Sequence, residues 1–209
     1  MDKKINNYFC IQPFVNVTTR IGGENNVCCN IVETASNIKH QTPAEFFNSK
    51  YVSQFREKLL AGEKLDACRL CHFQEENSNS SHRMKYNEYY MINNGEDTEY
   101  YKKRLKRLRL LESTGPLYAE IHISNLCNLK CLTCNERDSS QFHAENKMLG
   151  ISQEPDKDYT KFVVHSEKAL VPLLKKQLLF LDIRGGETLM VPEIKKILEN
   201  LSDDTAKNI

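Results

Sequence analysis

Apolar and polar positions alternate along residues 117–123, which predicts a strand with one buried face. Residues 178–183 are almost entirely apolar, as is typical of a parallel strand that is buried on both faces. Helices are predicted at 138–149 and 166–176, and a last helix opens at Pro192. This alternation of strands and helices predicts an α/β arrangement with parallel strands in the second half of the chain.

The pattern in the first half predicts a hairpin followed by a helix. Residues 14–19 and 27–32 favour strands, and the glycines and asparagines of 22–26 favour the turn between them. Thr42-Pro43-Ala44-Glu45 is a capping box with proline at the first helical position, so a helix is predicted over about 43–61. Its apolar stripe, which we interpret as core packing against the hairpin, contains Phe47, Tyr51, Val52, Phe55, Leu59 and Leu60.

A linker is predicted between these two parts. Residues 77–81 and 93–95 favour loops and turns. A helical pattern over about 97–112 has one apolar face and one face of lysines and arginines. No aromatic residues interleave with the basic face, so we interpret it as a solvated surface rather than a nucleic-acid site. The chain is thus predicted to have a small α+β domain at 1–95, a helical linker at 96–115 and an α/β domain at 116–209.

Composition limits the location and the partners of the protein. The formal net charge of +1 gives no overall field that favours nucleic acid or a membrane as partner. No apolar run reaches the roughly 18 residues of a membrane span, and residues 1–7 lack the apolar segment of a signal peptide. We therefore expect a cytoplasmic protein. Disulfides are rare in reducing compartments, so its clustered cysteines are expected to bind metal or to take part in redox chemistry.

Three cysteines, Cys127, Cys131 and Cys134, are spaced C-x3-C-x2-C directly after the strand predicted at 117–123. Three thiolates on one loop can bind three irons of a cubane iron–sulfur cluster, whereas a four-cysteine cluster takes every iron ligand from the protein. The fourth iron would then be open to a ligand that is not protein. The loop follows the C-terminal end of its strand, where ligands bind in parallel α/β folds.

A second turn, with Gly185, Gly186 and Glu187, follows the strand predicted at 178–183. Two glycines at the end of a strand let a ligand approach the backbone closely, and a carboxylate can bind an ammonium group. By itself this turn indicates only a strand-to-helix connection. Because it lies one βα unit after the cysteine loop, it indicates a binding site.

The remaining cysteines lie in the first half of the chain. Cys68 and Cys71 form a C-x2-C pair, and two intervening residues match the bite of a tetrahedral iron or zinc site. Together with Cys10 and either Cys28 or Cys29 they supply four thiolates. A structural zinc ribbon has the same spacing as an iron–sulfur site, so the pattern alone leaves both open.

The segment Cys68-Arg69-Leu70-Cys71-His72 also matches the C-x-x-C-H pattern of c-type haem attachment. Covalent haem attachment normally requires export, and it leaves Cys10 and Cys28 without a role. We therefore favour a metal site without haem and interpret His72 as a surface histidine.

The Cys127–Cys134 loop and the Gly185–Glu187 turn resemble those of radical S-adenosylmethionine (SAM) proteins. In that family three cysteines hold a [4Fe–4S] cluster, and SAM chelates the fourth iron through its amino and carboxylate groups. The resemblance implies that Cys127, Cys131 and Cys134 are the cluster ligands. It also implies that Gly185, Gly186 and Glu187 contact the methionyl amine.

The first half resembles the twitch, or half-SPASM, module that carries an auxiliary [4Fe–4S] cluster. Its pattern, C-x(9–15)-G-x4-C followed by C-x2-C, is matched by Cys10, Gly23, Cys28 and the Cys68–Cys71 pair. The resemblance favours Cys28 over Cys29 as a ligand and iron–sulfur over zinc. The residues that follow the pair in such proteins are also similar in this chain, namely Glu75, Ser81 and Arg83.

The family implies a partial TIM-like barrel of six βα units, and a full eight-unit barrel takes about 250 residues. Residues 116–209 suffice for only two or three units, so we expect the chain to be the N-terminal part of a radical SAM core, truncated at its C-terminal end. The residue before the third cysteine is commonly aromatic in the family and is Thr133 here.

The resemblance implies an enzyme that cleaves SAM reductively and uses the resulting 5′-deoxyadenosyl radical to abstract hydrogen from a substrate. An electron donor such as flavodoxin or ferredoxin would then be a partner. Relatives modify peptides, sugars and other small metabolites, and the sequence does not select among these. The alternative is a fragment that binds structural zinc or clusters and has no catalytic activity.

Overall fold

The computed structural model describes residues 5–31, 33–110, 115–161, 163–175, 178–203 and 206. Within these residues the protein is α/β, and its strands form one mixed, open sheet. The strands are β1 (Asn16–Thr19), β2 (Glu24–Asn26), β3 (Ser36–Asn37), β4 (Tyr118–Ser124) and β5 (Phe180–Gly185).

The helices between the strands are mostly short. They are α1 (Gln12–Val15), α2 (Pro43–Phe47), α3 (Lys50–Leu60), α4 (Arg69–Ser78), α5 (His82–Tyr89), α6 (Thr98–Arg107), α7 (Ser140–Met148), α8 (Val163–Leu174) and α9 (Ile194–Glu199). Single 3₁₀ turns cover Asp66–Cys68, Tyr159–Lys161 and Thr188–Met190. In the described parts of the chain, every helix is too short or too polar to cross a membrane.

The sheet has the strand order β3-β2-β1-β4-β5. Strand β2 pairs antiparallel with β1 and β3, while β4 pairs in parallel with β1 and β5. Parallel neighbours need a long crossover connection, which α7 and α8 provide between β4 and β5. Strands that precede and follow the linker predicted at 96–115 therefore lie side by side in one sheet.

The predicted hairpin is present, but both strands are shorter than the sequence indicated and the second lies earlier. Residues 14–19 are divided between α1 and β1, and β2 ends before the strand predicted at 27–32. The turn is tight because the Gly23 N–H donates to the Arg20 carbonyl at 2.8 Å, with a Gly23 φ of 85°. The Cys28-Cys29 pair consequently follows the second strand instead of lying on it.

The single helix predicted over about 43–61 is wrong, since two helices occupy this segment. The Ser49 hydroxyl accepts a hydrogen bond from the Val52 N–H at 3.3 Å, so Ser49 is the N-cap of the second helix, α3. The capping box ahead of α2 is confirmed. The Thr42 N–H donates to the Glu45 carboxylate at 2.8 Å, and the Glu45 N–H donates back to the Thr42 hydroxyl.

One apolar core joins the two halves of the chain. Val17 of β1, Phe46 of α2, Ile121 of β4 and Leu170 of α8 belong to one buried cluster. The alternation along residues 117–123 is confirmed as β4, whose odd-numbered residues from 119 to 123 are buried on the α8 side. Among the apolar residues of the stripe predicted over about 43–61, Tyr51 is 42% exposed, whereas the others are buried or half-buried.

The strand predicted at 178–183 is present as β5, but its predicted burial on both faces is wrong. Phe180 is 41% exposed, and the other residues of β5 are exposed or half-buried. Leu178, which precedes the strand, is fully buried. The exposure follows from position, because β5 is an edge of the sheet in the described chain.

The helices predicted in the second half are present with shifted ends. The helix predicted at 138–149 is α7, and α9 follows Pro192 as expected. Helix α8 begins at Val163, before the start predicted at 166, and Pro172 lies inside the helix. Of the loop predicted at 77–81, residues 77–78 belong to the end of α4, and residues 79–81 connect α4 to α5.

Candidate metal centres

Four cysteines from separate segments line one small cavity. Cys10 precedes α1, Cys28 follows β2, Cys68 ends a 3₁₀ turn, and Cys71 lies in the first turn of α4. Cys10 and Cys71 are buried, whereas Cys28 and Cys68 are half-buried. All eight cysteines of the chain lie in the described residues and carry free thiols. The structure thus brings together the four first-half cysteines that the resemblance implies.

Backbone and side-chain N–H groups point at these thiols. The Asn30 backbone N–H donates to Cys28 Sγ and the Asn30 Nδ2 donates to Cys71 Sγ, each at 3.5 Å. The backbone N–H of Gln12 faces the Cys10 sulfur and favours its thiolate form. Hydrogen bonds of this kind stabilise sulfur that carries negative charge, so the cavity suits thiolate ligands.

Without a cation the Cys10 and Cys68 thiols resist ionisation. Burial raises the pKa of Cys10 well above its ordinary value, and the neighbouring Cys68 adds to the effect. Burial, reinforced by Cys71, raises the pKa of Cys68 to about 12. A metal ion would reverse both effects because it supplies the positive charge that a cluster of buried thiolates needs.

The cavity is tight. Its volume of about 20 Å³ is roughly that of a single water site. Among the described residues, no three histidine, cysteine or acidic side chains stand close enough to bind one metal ion as they are placed. The thiols therefore surround the cavity without meeting at a common point, and metal binding requires them to adjust.

A buried ion pair supports the cavity wall. Arg83, which lines the cavity, donates from Nε and NH2 to the two carboxylate oxygens of Glu75 at 2.8 and 2.7 Å. Its NH1 donates to the Phe9 carbonyl at 2.7 Å, and the Ser81 hydroxyl donates to the same Glu75 carboxylate. The three residues that resemble the family after the C-x2-C pair thus form one hydrogen-bonded group.

Arg83→Met is expected to lower the free energy of unfolding by about 2 kcal/mol, because it breaks the ion pair with Glu75, whose half-buried carboxylate is then left with the Ser81 hydrogen bond. Chemical denaturation monitored by circular dichroism measures the loss. The control is Lys102→Ala, which removes an exposed ion pair with Glu99 and is expected to cost about 1 kcal/mol or less.

The same ion pair predicts a pH dependence of stability. Burial raises the pKa of Glu75, but the hydrogen bonds from Arg83 and Ser81 outweigh it and hold that pKa below its usual range. A lowered folded-state pKa stabilises the fold above the unfolded value of about 4.3, and this stability is lost as the pH falls through the folded-state pKa. Arg83→Met should weaken this acid dependence, and an unchanged acid profile would contradict the assignment.

Cys29 faces a different cavity from its neighbour Cys28. This second cavity has a volume of about 370 Å³ and lies on the sheet face that carries Glu120 and Arg184. A hydrogen bond from the Cys28 thiol lowers the pKa of Cys29, and the Arg184 charge contributes to the same effect. The two adjacent cysteines therefore occupy different environments.

A charged network on this sheet face is the main feature that the sequence did not indicate. Glu120 on β4 is 1% exposed and binds Arg184 NH1 at 3.2 Å and His122 Nε2 at 3.3 Å. Arg184 also contacts Asp182 Oδ2 at 2.7 Å. One feature of the sequence could have indicated this network. Glu120 and His122 are two residues apart, as are Asp182 and Arg184, and residues with this spacing share one face of a strand.

The loop with Cys127, Cys131 and Cys134 lies directly after β4, as predicted. The start of α7 holds it, since the Cys127 N–H donates to Ser140 Oγ at 3.1 Å and the same hydroxyl donates to the Cys127 carbonyl at 3.1 Å. A turn closes the loop, with the Cys134 N–H donating to the Cys131 carbonyl at 2.9 Å. Cys131 is exposed, and the other two thiols are half-buried.

The Gly185–Glu187 turn packs directly against this loop. The Gly186 N–H donates to the Ser124 carbonyl at 2.9 Å, and the Glu187 N–H donates to the Leu126 carbonyl at 2.7 Å. A Cβ atom on Gly186 would lie 2.5 Å from the Leu126 carbonyl oxygen and 2.8 Å from Cys127 Cβ. Only glycine permits this approach, so the structure brings the two second-half motifs into contact.

The prediction that His72 is a surface residue is wrong. His72 is 6% exposed, and its ring stands edge-on to that of Tyr8 with centroids 5.2 Å apart. Burial lowers its pKa. The helical periodicity of α4 turns this side chain inward next to the buried Cys71. Because it contacts the Tyr8 ring, His72 contributes to the packing of the interior.

A third cavity, of about 490 Å³, lies beside the N-terminal ends of β4 and β5. Tyrosines of α5 and the aromatic residues of the strands line it, and Asp182 forms part of its wall. Tyr118 OH donates to Asp182 Oδ2 at 3.3 Å, which connects this aromatic surface to the charged network on the same sheet face.

The fold and these sites define an α/β protein with two separate groups of cysteines. In comparisons with known proteins, the chain matches no protein-family model, no curated protein and no solved structure.

Proposed function

We propose that the protein is a radical SAM enzyme with two [4Fe–4S] clusters. The observation that carries the proposal is the contact between the two second-half motifs. A loop with three free thiols and a turn with two glycines meet at the C-terminal ends of two adjacent parallel strands. Ligands bind at this end of parallel sheets.

The topology supports β4 and β5 as the first two strands of a partial TIM-like barrel. They are parallel neighbours joined by a helical crossover, and helix α8 packs on β4. The opposite face of these strands carries Glu120 and Arg184, as expected for a barrel interior that binds a polar substrate.

Each residue of the site has a role in this proposal. Cys127, Cys131 and Cys134 would hold the cluster. When bound, it would supply the one electron that cleaves SAM into methionine and a 5′-deoxyadenosyl radical, and that radical would take a hydrogen atom from the substrate. Gly186 keeps the turn close to the cysteine loop, and Gly185 similarly has no room for a side chain because a Cβ would lie 2.2 Å from the Ser124 carbonyl oxygen.

Glu187 provides the carboxylate of this turn. One of its oxygens accepts a hydrogen bond from the Leu189 N–H at 3.4 Å, which orients the side chain at the start of the following 3₁₀ turn. The carboxylate has acceptor capacity left for an ammonium group such as the methionyl amine of SAM.

The first-half cysteines would hold the second cluster. The donor set supports this role: Cys10, Cys28, Cys68 and Cys71 line one cavity, and Cys28 and Cys71 receive N–H···S hydrogen bonds from Asn30. The competing occupant is a single zinc ion, which the small cavity volume of about 20 Å³ favours. An electron donor such as flavodoxin or ferredoxin in a reducing cytoplasm completes the proposal.

Anaerobic reconstitution with iron and sulfide tests the proposal. We expect about eight irons and eight sulfides per chain and a brown protein, since each of two cubane clusters holds about four of each. Zinc bound in stoichiometric amount without sulfide would contradict the proposal and support a structural zinc protein. Iron and sulfide near four per chain would support one cluster site alone.

Gly186→Ala is expected to reduce the affinity for SAM at least tenfold, because the added methyl group pushes the turn away from the cysteine loop. Equilibrium binding of SAM to the reconstituted protein measures the effect. The control is Met148→Ala at the end of α7, where the side chain is 79% exposed and alanine suits the helical backbone, so the affinity for SAM should not change. Equal SAM affinities of the two variants would contradict the role of the turn.

A further inference from the structure

Gln12 places an unpaired amide at the cavity of the first-half cysteines. It is the first residue of α1, is 2% exposed, and lines the cavity together with Cys10 and Cys28. Its side-chain Nε2 is fully buried and has no hydrogen-bond partner among the described residues. The backbone N–H of the same residue already faces the Cys10 sulfur.

A buried N–H without a partner is rare in native proteins, because its lost hydration is not replaced. Two other polar side chains at this cavity are paired. The Asn30 amide donates to Cys71, and Arg83 is held by Glu75. Gln12 therefore differs from its neighbours, and the cavity itself is where its missing acceptor would lie.

We infer that the Gln12 side-chain amide donates a hydrogen bond to the metal centre held by Cys10, Cys28, Cys68 and Cys71 and raises the reduction potential of that centre. The inference rests on the proposed second cluster. Reduction adds negative charge to the sulfurs, and an N–H dipole aimed at them stabilises the reduced state more than the oxidised state. Gln12 thus sets how readily this centre accepts an electron.

The test compares reduction potentials of the reconstituted full chain by redox titration with electron paramagnetic resonance (EPR) detection. Gln12→Met keeps a side chain of similar length and removes the donor. We expect unchanged iron and sulfide contents and a shift of about tenfold toward the oxidised state of this centre, which is 59 mV for one electron. The centre at Cys127 should keep its potential. The matched control, Gln54→Met on the exposed side of α3, should shift neither centre.

An unchanged potential in Gln12→Met at full iron content would overturn the inference and leave the proposed function intact. Protein that binds zinc and no iron–sulfur cluster at these cysteines would overturn both. Should Gln12→Met fail to fold, Gln12→Glu serves as the second variant, since it keeps the shape and replaces the donor with an acceptor. A larger shift in the same direction is then expected, and an unchanged potential would again overturn the inference.

Discussion

Replacing Cys127, Cys131 and Cys134 together with alanine is expected to remove about half of the iron from the reconstituted protein and to abolish its response to SAM. The three thiols lie on one loop after β4, and the Cys10 group lies in a separate cavity, so loss of one centre should leave the other. Iron analysis and SAM binding measure the two effects.

The matched control for the triple substitution is Leu132→Ala. This side chain lies on the same loop and is 99% exposed, so its removal should change neither the fold nor the iron content. Full iron content and unchanged SAM binding in the cysteine-free loop would contradict its role as the cluster site.

Cys28→Ser is expected to lose the second centre, whereas the adjacent Cys29→Ser is expected to retain it. Cys28 lines the cavity with Cys10, Cys68 and Cys71, whereas Cys29 lines the larger cavity on the Glu120 side of the sheet. A serine hydroxyl is a poor replacement for a thiolate ligand of iron, and four ligands complete this type of centre. Iron and sulfide contents of the two variants after identical reconstitution measure the difference.

This pair of variants also separates the two possible ligands that the sequence left open. The opposite result, with iron lost in Cys29→Ser and kept in Cys28→Ser, would show that Cys29 is the ligand. Loss of iron in both would indicate that the backbone of the Cys28-Cys29 segment, rather than one thiol, determines binding.

Local signals predicted the parts of the fold that depend on neighbouring residues. The sequence pattern correctly predicted the capping box at Thr42, the strand β4 and the helix α7. The single helix at 43–61 was wrong because a capping serine in mid-segment outweighs a continuous apolar stripe. The helix predicted over about 97–112 is α6, which ends at Arg107, and residues 111–112 lie outside the described residues.

Long-range pairing could not be predicted in the same way. The parallel pairing of β1 with β4 joins residues about one hundred positions apart, and nothing in either segment encodes its partner. The exposure of β5 follows from its place at the edge of the sheet, which its apolar composition does not reveal.

The candidate sites likewise include features that the sequence predicts and features that depend on tertiary structure. Both groups of cysteines could be identified from the sequence, because their motifs are defined by the number of residues between successive cysteines. The network of Glu120, His122 and Arg184, and the unpaired amide of Gln12, depend on which strands and helices meet, so only the three-dimensional structure reveals them.

The most direct measurement is the EPR spectrum of the reduced Cys28→Ser variant with and without SAM. This variant isolates the centre at Cys127, Cys131 and Cys134. We expect SAM to change the spectrum, because in the proposed site it would bind the iron that the three thiolates leave open. A spectrum of this centre that is identical with and without saturating SAM would contradict the proposed function.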